Sequence, residues 1–223
     1  CMSIKILLID NYDSFVFNAH HLFQEADPSI QVDVVRNDDD FLSLLDQGKY
    51  HGVIVGPGPG SPEDDAYFGH SKQVILEYPQ KGIPVLGICL GFQGMYYLFG
   101  GKLKKATTPV HGKISLLNIE DNGVLLDGVA NGAAVMRYHS IMADLSQPVP
   151  ECLKLTAFVE HEENVDQVDS RYSYEHPHNG RELMAFEHKT LPLYAVQFHP
   201  ESFATECGFE IARNFIEKCR KAR

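Results

Sequence analysis

The sequence predicts an α/β fold, in which a central, mostly parallel sheet has helices on both faces and an added antiparallel layer. The first hundred residues alternate short apolar runs with amphipathic stretches, as right-handed crossovers between parallel strands require. After residue 100 the pattern changes to strand-like runs separated by Asn-Gly turn signals. The length of 223 residues favours a single domain over residues 1–223.

Hydrophobic periodicity places the elements in chain order. In the first half, strands are predicted at 4–9, 31–35, 52–55 and 84–88, and helices at 14–25, 41–46, 66–80 and 91–99. In the second half, strands are predicted at 113–119, 133–137, 153–160, 182–187 and 193–198, with a final helix near 207–221. The polar segment 161–181 is longer than a hairpin connection needs, which indicates a surface insertion.

Cys89 lies where an apolar run meets a helical pattern, in the sequence Val-Leu-Gly-Ile-Cys-Leu-Gly of residues 85–91. Flanking glycines permit a sharp strand-to-helix turn, so the segment is the thiol counterpart of the Gly-x-Ser-x-Gly nucleophile elbow. The helix N-terminus that follows favours a thiolate. By itself the pattern is equally typical of a packed structural cysteine.

His199 and Glu201 follow the last predicted strand and are two positions apart. In an extended chain their side chains point the same way, so the carboxylate could orient the imidazole ring. A cysteine nucleophile needs such a base. Only a fold that aligns two distant strand ends brings His199 to Cys89, and His-Pro-Glu alone also fits an ordinary turn.

A stiff loop, Gly-Pro-Gly-Pro-Gly-Ser-Pro at residues 56–62, follows the third predicted strand. Its glycines allow backbone N–H groups to approach a ligand closely, and one of them could form an oxyanion hole with the N–H of Leu90. A rigid connection between strand and helix is the alternative. Asp10, Gly58, Cys89 and His199 all follow strands, and open α/β sheets bind ligands at that edge.

Three further segments narrow the interpretation: Leu-Ile-Asp-Asn-Tyr-Asp-Ser-Phe at 8–15, Arg-Tyr-His-Ser at 137–140 and Val-Gln-Phe-His-Pro-Glu-Ser at 196–202. Together with the elbow and the loop, they resemble the class I glutamine amidotransferases. The similarity is to the glutaminase subunits of anthranilate synthase and of aminodeoxychorismate synthase. It covers roughly residues 3–219, with the motifs in the family's order, and implies the flavodoxin-like fold of class I glutaminases.

The resemblance also implies a chemistry. Cys89 attacks the side-chain amide of L-glutamine, His199 transfers the proton, and Glu201 orients the ring. The Gly58 and Leu90 N–H groups receive the oxyanion. The implied glutamine-binding residues are Gly58, Pro59, Gly60, Gln93, Ser140 and Ile141. Ammonia then passes to a chorismate-binding synthase, either a separate subunit or a fused domain, and no cofactor is expected in this chain.

Two positions depart from the family's pattern. Phe92 stands where these glutaminases usually have His, and no chemical step is assigned to that position. Ile141 stands where Leu is usual, a volume-conserving change that a packed site tolerates.

Composition excludes several classes of partner. The net charge of −11 argues against nucleic acid, and no apolar stretch reaches the length of a membrane span. The chain runs directly into a strand without a signal peptide, so its five scattered cysteines are expected to be reduced thiols in the cytoplasm. Cys1 precedes Met2 and is expected to be an addition to the natural start. The histidine pairs 20–21 and 176/178 are too few ligands for a metal site.

Two other functions remain open at this point. One is a partner-independent cysteine hydrolase of γ-glutamyl or peptide bonds, which the 10–15 and 56–62 motifs disfavour. The other is a non-catalytic regulatory subunit, which the intact Cys89, His199 and Glu201 disfavour. The motifs do not separate the tryptophan branch, through anthranilate, from the folate branch, through para-aminobenzoate.

Overall fold

The computed structural model describes residues 3–160 and 179–222 and has the predicted α/β architecture. The strands are β1 Lys5–Asp10, β2 Gln31–Arg36, β3 Gly52–Val55, β4 Val85–Ile88, β5 Leu103–Leu116, β6 Asn118–Ile119, β7 Ala134–Ala143, β8 Leu153–Val159, β9 Glu182–His188 and β10 Leu193–Val196. The helices are α1 Val16–Ala26, α2 Leu42–Asp46, α3 Asp65–Phe68, α4 Ser71–Glu77, α5 Leu90–Leu98 and α6 Gly208–Lys221, and a 3₁₀ helix spans Pro79–Lys81.

The main sheet of the described chain has the strand order β2-β1-β3-β4-β10-β9-β8-β6. The first five of these strands are mutually parallel, and β9, β8 and β6 continue the sheet in antiparallel fashion. β5 and β7 pair with each other in a separate antiparallel sheet. The added layer is therefore narrower than the sequence pattern indicated, because most second-half strands extend the main sheet. Every residue of β10 is buried, as the interior of a sheet requires.

The predicted helix at 66–80 is wrong as a single element. It is divided into α3, α4 and the 3₁₀ helix. Gly69 adopts φ 55°, and a Cβ there would lie 2.7 Å from the Asn37 carbonyl oxygen, so only glycine fits between α3 and α4. Pro79 then stops α4, because its ring cannot continue the α-helical hydrogen bonds.

The strands predicted at 113–119 and 133–137 are longer in the structure. β5 begins at Leu103 and pairs with β7 as far as Ala143. Two irregularities, between Lys105 and Val110 and between His111 and Lys113, interrupt the register. These bulges break the alternation of buried and exposed residues, so the first half of β5 has no strand periodicity to detect.

Two hydrophobic clusters pack on opposite faces of the main sheet. One includes Phe23 of α1 and Phe215 of α6, and the other includes Val74 of α4 and Met95 of α5. Phe92 belongs to the second cluster, fully buried with its ring centroid 5.0 Å from that of Phe186. The family departure at position 92 is thus part of the core and does not line the pocket described below.

The interpretation of 161–181 as an insertion falls mostly outside the described residues, as do Cys1, His176 and His178. Near the carboxyl end of the segment 161–181, the Asn179 side chain donates to the Thr108 carbonyl at 2.9 Å and accepts from the Thr108 N–H at 2.8 Å. Within residues 3–160 and 179–222, no helix combines the length and the apolar character that crossing a membrane demands.

Candidate active site

Cys89 lies in the predicted turn between β4 and α5, with φ 54° and ψ −98°. A positive φ is strained for a residue with a side chain, and this backbone projects the thiol away from the sheet. The neighbouring glycines are sterically required. A Cβ on Gly91 would lie 2.2 Å from the Val55 carbonyl oxygen, and one on Gly87 would lie 2.7 Å from the Gly91 carbonyl carbon. The Cys89 N–H donates to Val196 O at 2.9 Å, which ties the elbow to the end of β10.

The His199 and Glu201 side chains contact each other, but in a turn. The expectation of extended chain is wrong here, because β10 ends at Val196 and the Ser202 N–H closes a turn onto the His199 carbonyl at 3.2 Å. His199 Nδ1 still hydrogen bonds Glu201 Oε1, and the two side chains are only 5% and 1% exposed. The turn is held by the Thr205 hydroxyl, which donates to His199 O at 2.7 Å.

Two aromatic rings fix the plane of the His199 ring. Its centroid lies 5.6 Å from that of Phe15 and 5.8 Å from that of Tyr138, in edge-on arrangements of 62° and 88°. Phe15 ends the 10–15 motif, so that motif acts on the site through packing. No role was predicted for either ring, because nothing in the local sequence pattern indicates this contact.

The charge state of His199 follows from its neighbours. Burial lowers the pKa of this ring, but hydrogen bonding and charge from Cys89 and Glu201 raise the pKa of His199 to about 11. In the described structure the Cys89 thiol donates to the Tyr138 carbonyl at 3.4 Å, while His199 Nε2 is buried without a hydrogen bond of regular geometry. The fold thus brings the three predicted catalytic side chains into one electrostatically linked group, with direct contact between His199 and Glu201.

A cavity of about 240 Å³ lies beside Cys89. Its volume suits a ligand smaller than a drug-sized molecule. The structure brings every predicted glutamine-binding residue to its wall: Gly58, Pro59, Gly60, Gln93, Ser140 and Ile141. The β5–β7 sheet adds Val110, His111, Tyr138 and His139 to the lining. Val110 and His111 were missed because they lie in the bulged part of β5, whose register the sequence does not reveal.

Gly58 is packed so closely that no side chain fits. A Cβ at this position would lie 2.4 Å from Asn11 O, 2.5 Å from Asn11 Cβ and 3.0 Å from Leu90 Cδ2. Asn11 is itself fixed, because its amide donates to Gly56 O at 2.7 Å and accepts from Asn37 Nδ2 at 2.9 Å. The residues predicted to supply the two oxyanion donors, Gly58 and Leu90, are therefore neighbours in a rigid setting.

Three buried polar side chains lie at or next to the cavity: Gln93, His139 and Gln197. Gln93 Nε2 donates to Ile141 O at 2.9 Å, which joins α5 to β7 across the pocket. Burial, followed by the Arg137 charge, lowers the pKa of His139 to about 3, so this ring is neutral. Gln197 is fully buried and was missed, although a polar residue within the apolar run 193–198 is a detectable signal.

Within the described residues, Cys152, Cys207, Cys219 and His20 show no comparable setting. Burial raises the pKa of the Cys207 thiol to about 12 and also raises that of Cys219, so both behave as packing residues. Cys152 is half-buried. His20 Nε2 lies 3.1 Å from Val32 O, and the described residues contain no group of three or more potential metal ligands.

Comparison with known proteins agrees with this geometry. The family model of class I glutamine amidotransferases matches residues 7–219. The chain is 40% identical to anthranilate synthase component 2 of Leptospira biflexa, with 96% of this chain and 99% of that protein covered. It is 36% identical to aminodeoxychorismate synthase component 2 of Escherichia coli K12, with coverages of 96% and 100%.

A solved structure supports the same fold. A Thermoplasma acidophilum protein described as a candidate GMP synthase subunit superposes with a TM-score of 0.76 at 24% identity, covering 99% of this chain and 96% of that one. At this identity the likeness concerns the fold alone. The family match and the two relatives cover nearly all of the sequence. The chain therefore belongs to the class I glutamine amidotransferase family.

Proposed function

We propose that this chain hydrolyses L-glutamine through a thioester on Cys89 and delivers the ammonia to a chorismate-using synthase. The observation that carries the proposal is the cavity, in which Cys89 lies beside Gly58, Gln93 and Ile141, together with the buried His199–Glu201 pair whose pKa is coupled to Cys89. Family membership supplies the reaction class, and the cavity supplies a place for a small substrate.

In the first half-reaction the Cys89 sulfur attacks the amide carbon of glutamine as a thiolate, because protonated His199 already holds the thiol proton. The N–H groups of Gly58 and Leu90 stabilise the oxyanion that forms. His199 then gives its proton to the departing nitrogen, the C–N bond breaks, and ammonia leaves a thioester on the protein. Glu201 keeps Nδ1 of His199 engaged, so Nε2 remains the atom that exchanges protons.

In the second half-reaction water attacks the thioester carbon. His199 removes a proton from the water, the same oxyanion donors act again, and the sulfur departs and recovers the proton. Glutamate is released and Cys89 is restored. These steps need only protein groups and water, so we propose no cofactor for this chain. Splitting the hydrolysis in two lowers the barrier to breaking an unreactive amide.

Glutamine recognition is assigned to the cavity wall. We propose that Gln93 and the Ser140–Ile141 backbone hold the substrate, and that Pro59 and Gly60 close the opposite side. Gln93 is itself anchored by the Ile141 carbonyl, so its amide is held in place before substrate arrives.

The partner is proposed from the relatives. Both relatives described above are named as second components of synthases, one for anthranilate and one for aminodeoxychorismate. We propose that a chorismate-binding synthase, as a subunit or a fused domain, receives the ammonia. Their identities of 40% and 36% do not separate the tryptophan branch from the folate branch.

The test is a Cys89→Ser variant assayed with the synthase that co-purifies from the source cell. Glutamine-dependent product is expected to disappear, whereas product made from ammonium salts is expected to persist. Cys152→Ser, which changes a half-buried cysteine outside the cavity lining, is the matched control and should retain both activities. Equal loss with both nitrogen sources would contradict the proposal, and 2-aminobenzoate or aminodeoxychorismate as product identifies the branch.

A further inference from the structure

Gln197 is a buried amide that touches the nucleophile. The residue follows β10 and is 0% exposed, and its backbone N–H donates to Met184 O at 2.8 Å. Its side-chain Nε2 lies 3.6 Å from Cys89 Sγ, and its Oε1 accepts from Gln93 Nε2 at 3.4 Å. One side chain therefore contacts both the sulfur and a residue assigned to glutamine binding.

The hydrogen-bond network fixes which end of the amide faces the sulfur. Gln93 must direct its NH₂ group toward the Ile141 carbonyl, 2.9 Å away, because two oxygens would repel. The same NH₂ group faces Gln197, which must therefore present its oxygen. The Gln197 NH₂ is then left to face Cys89. A reversed amide would place two donors against each other between two buried side chains.

We propose that Gln197 is a positioning residue that favours the thiolate form of Cys89 and holds Gln93 in its substrate-binding orientation. A hydrogen bond strengthens when its acceptor becomes charged, so the Gln197 N–H stabilises the thiolate more than the thiol. The role of Gln197 in glutamine hydrolysis rests on the proposed glutaminase function. The hydrogen bond from Gln197 to the Cys89 sulfur can be tested by a measurement that does not depend on turnover.

Other titratable groups lie around the sulfur and must be kept constant in a test. Those on the elements around Cys89 are Asp13, His111, Tyr138, His139, His199 and Glu201. Gln197 is neutral, so its replacement by a neutral residue changes its hydrogen bonds to Cys89 and Gln93 and leaves these charges in place.

Two variants separate the two roles of the amide. Gln197→Met is neutral and of similar length, and it has neither a donor for the sulfur nor an acceptor for Gln93. Gln197→Glu keeps an acceptor for Gln93 but replaces the donor by a carboxylate beside the sulfur. Gln147→Glu, a change of the same chemistry at an exposed position, is the matched control.

The experiment is alkylation of the full chain by iodoacetamide across pH 5–10, with modification of Cys89 quantified by peptide mass spectrometry. In Gln197→Met the pH of half-maximal rate is expected to rise by about one to two units, the shift produced by losing one hydrogen bond to a charged group. Gln197→Glu is expected to shift at least as far, and Gln147→Glu is expected to match the wild type.

Glutamine kinetics provide the second measurement. Gln197→Met is expected to raise KM for glutamine as well as lower kcat, because Gln93 loses a partner, whereas Gln197→Glu lowers kcat with a smaller change in KM. An unchanged pH midpoint in either folded variant would overturn the inference. Absence of glutamine turnover in the wild-type complex would instead overturn the proposed function, and the alkylation profile would still report on Gln197.

Discussion

Replacing Gly58 by alanine perturbs the proposed oxyanion hole without touching the three catalytic side chains. The new Cβ would lie 2.4 Å from Asn11 O, whereas an ordinary Cβ contact starts at 3.4 Å, so the loop must move by about 1 Å. Asn11 does not yield easily, because its side chain is held by Gly56 O and Asn37. A displacement of that size takes an N–H donor out of hydrogen-bonding range of the oxyanion.

The expected result is a loss of about 10²–10³ in kcat for glutamine hydrolysis, the usual effect of removing one oxyanion donor. The assay measures glutamate release by the complex, together with ammonium-dependent synthesis and thermal unfolding. Gly48→Ala, at a position with φ 71° and open space around it, is the control for backbone strain alone. A folded Gly58→Ala protein with wild-type kcat would refute the assignment of the Gly58 N–H.

Two further predictions concern buried charges. Folded His199 keeps its proton to a pKa of about 11, against 6.5 as its ordinary value, so this group's contribution to stability is complete below pH 6.5. That contribution to the free energy of unfolding falls as pH rises toward 11, by at most about 1.4 kcal/mol per pH unit. Because Glu201→Gln removes one cause of the raised pKa, the free energy of unfolding measured in urea should fall less steeply with pH in this variant. The same pH dependence of the free energy of unfolding in Glu201→Gln and in the wild type would refute the coupling between Glu201 and His199. Glu182→Gln should lower the free energy of unfolding because it removes the carboxylate that contacts the buried Arg137 guanidinium, whereas a joint Arg137→Met and Glu182→Leu replacement should cost less. Equal losses of unfolding free energy in the single and the double variant, measured by urea unfolding, would contradict this expectation.

The fold and most of the site were predictable from local sequence. The glycines around Cys89 leave almost no alternative to a strand, a sharp turn and a helix, and the structure has that elbow. The alternation of strands and helices predicted that β3 and β4 end at one edge of the sheet, and the pairing of Cys89 with His199 required the last strand to end there as well. That edge is where the cavity lies, with the six predicted glutamine-binding residues in its wall.

What sequence could not supply depends on contacts between distant segments. The bulges of β5 carry Val110 and His111 to the cavity, and only the pairing with β7 shows this. The Phe15 ring reaches His199 through the packing of α1, which no local pattern records. The break at Gly69 was missed because the flanking residues have good helical periodicity, and the close approach of Asn37 overrides it.

The central claim is that Cys89 is a nucleophile toward the side-chain carbonyl of glutamine. The most direct measurement is treatment of the full chain with a diazo-ketone analogue of L-glutamine, followed by peptide mass spectrometry. We expect one label per chain, on Cys89, with labelling slowed by L-glutamine and abolished in Cys89→Ser. Labelling that spares Cys89 in the folded complex, or that L-glutamine does not compete with, would contradict it.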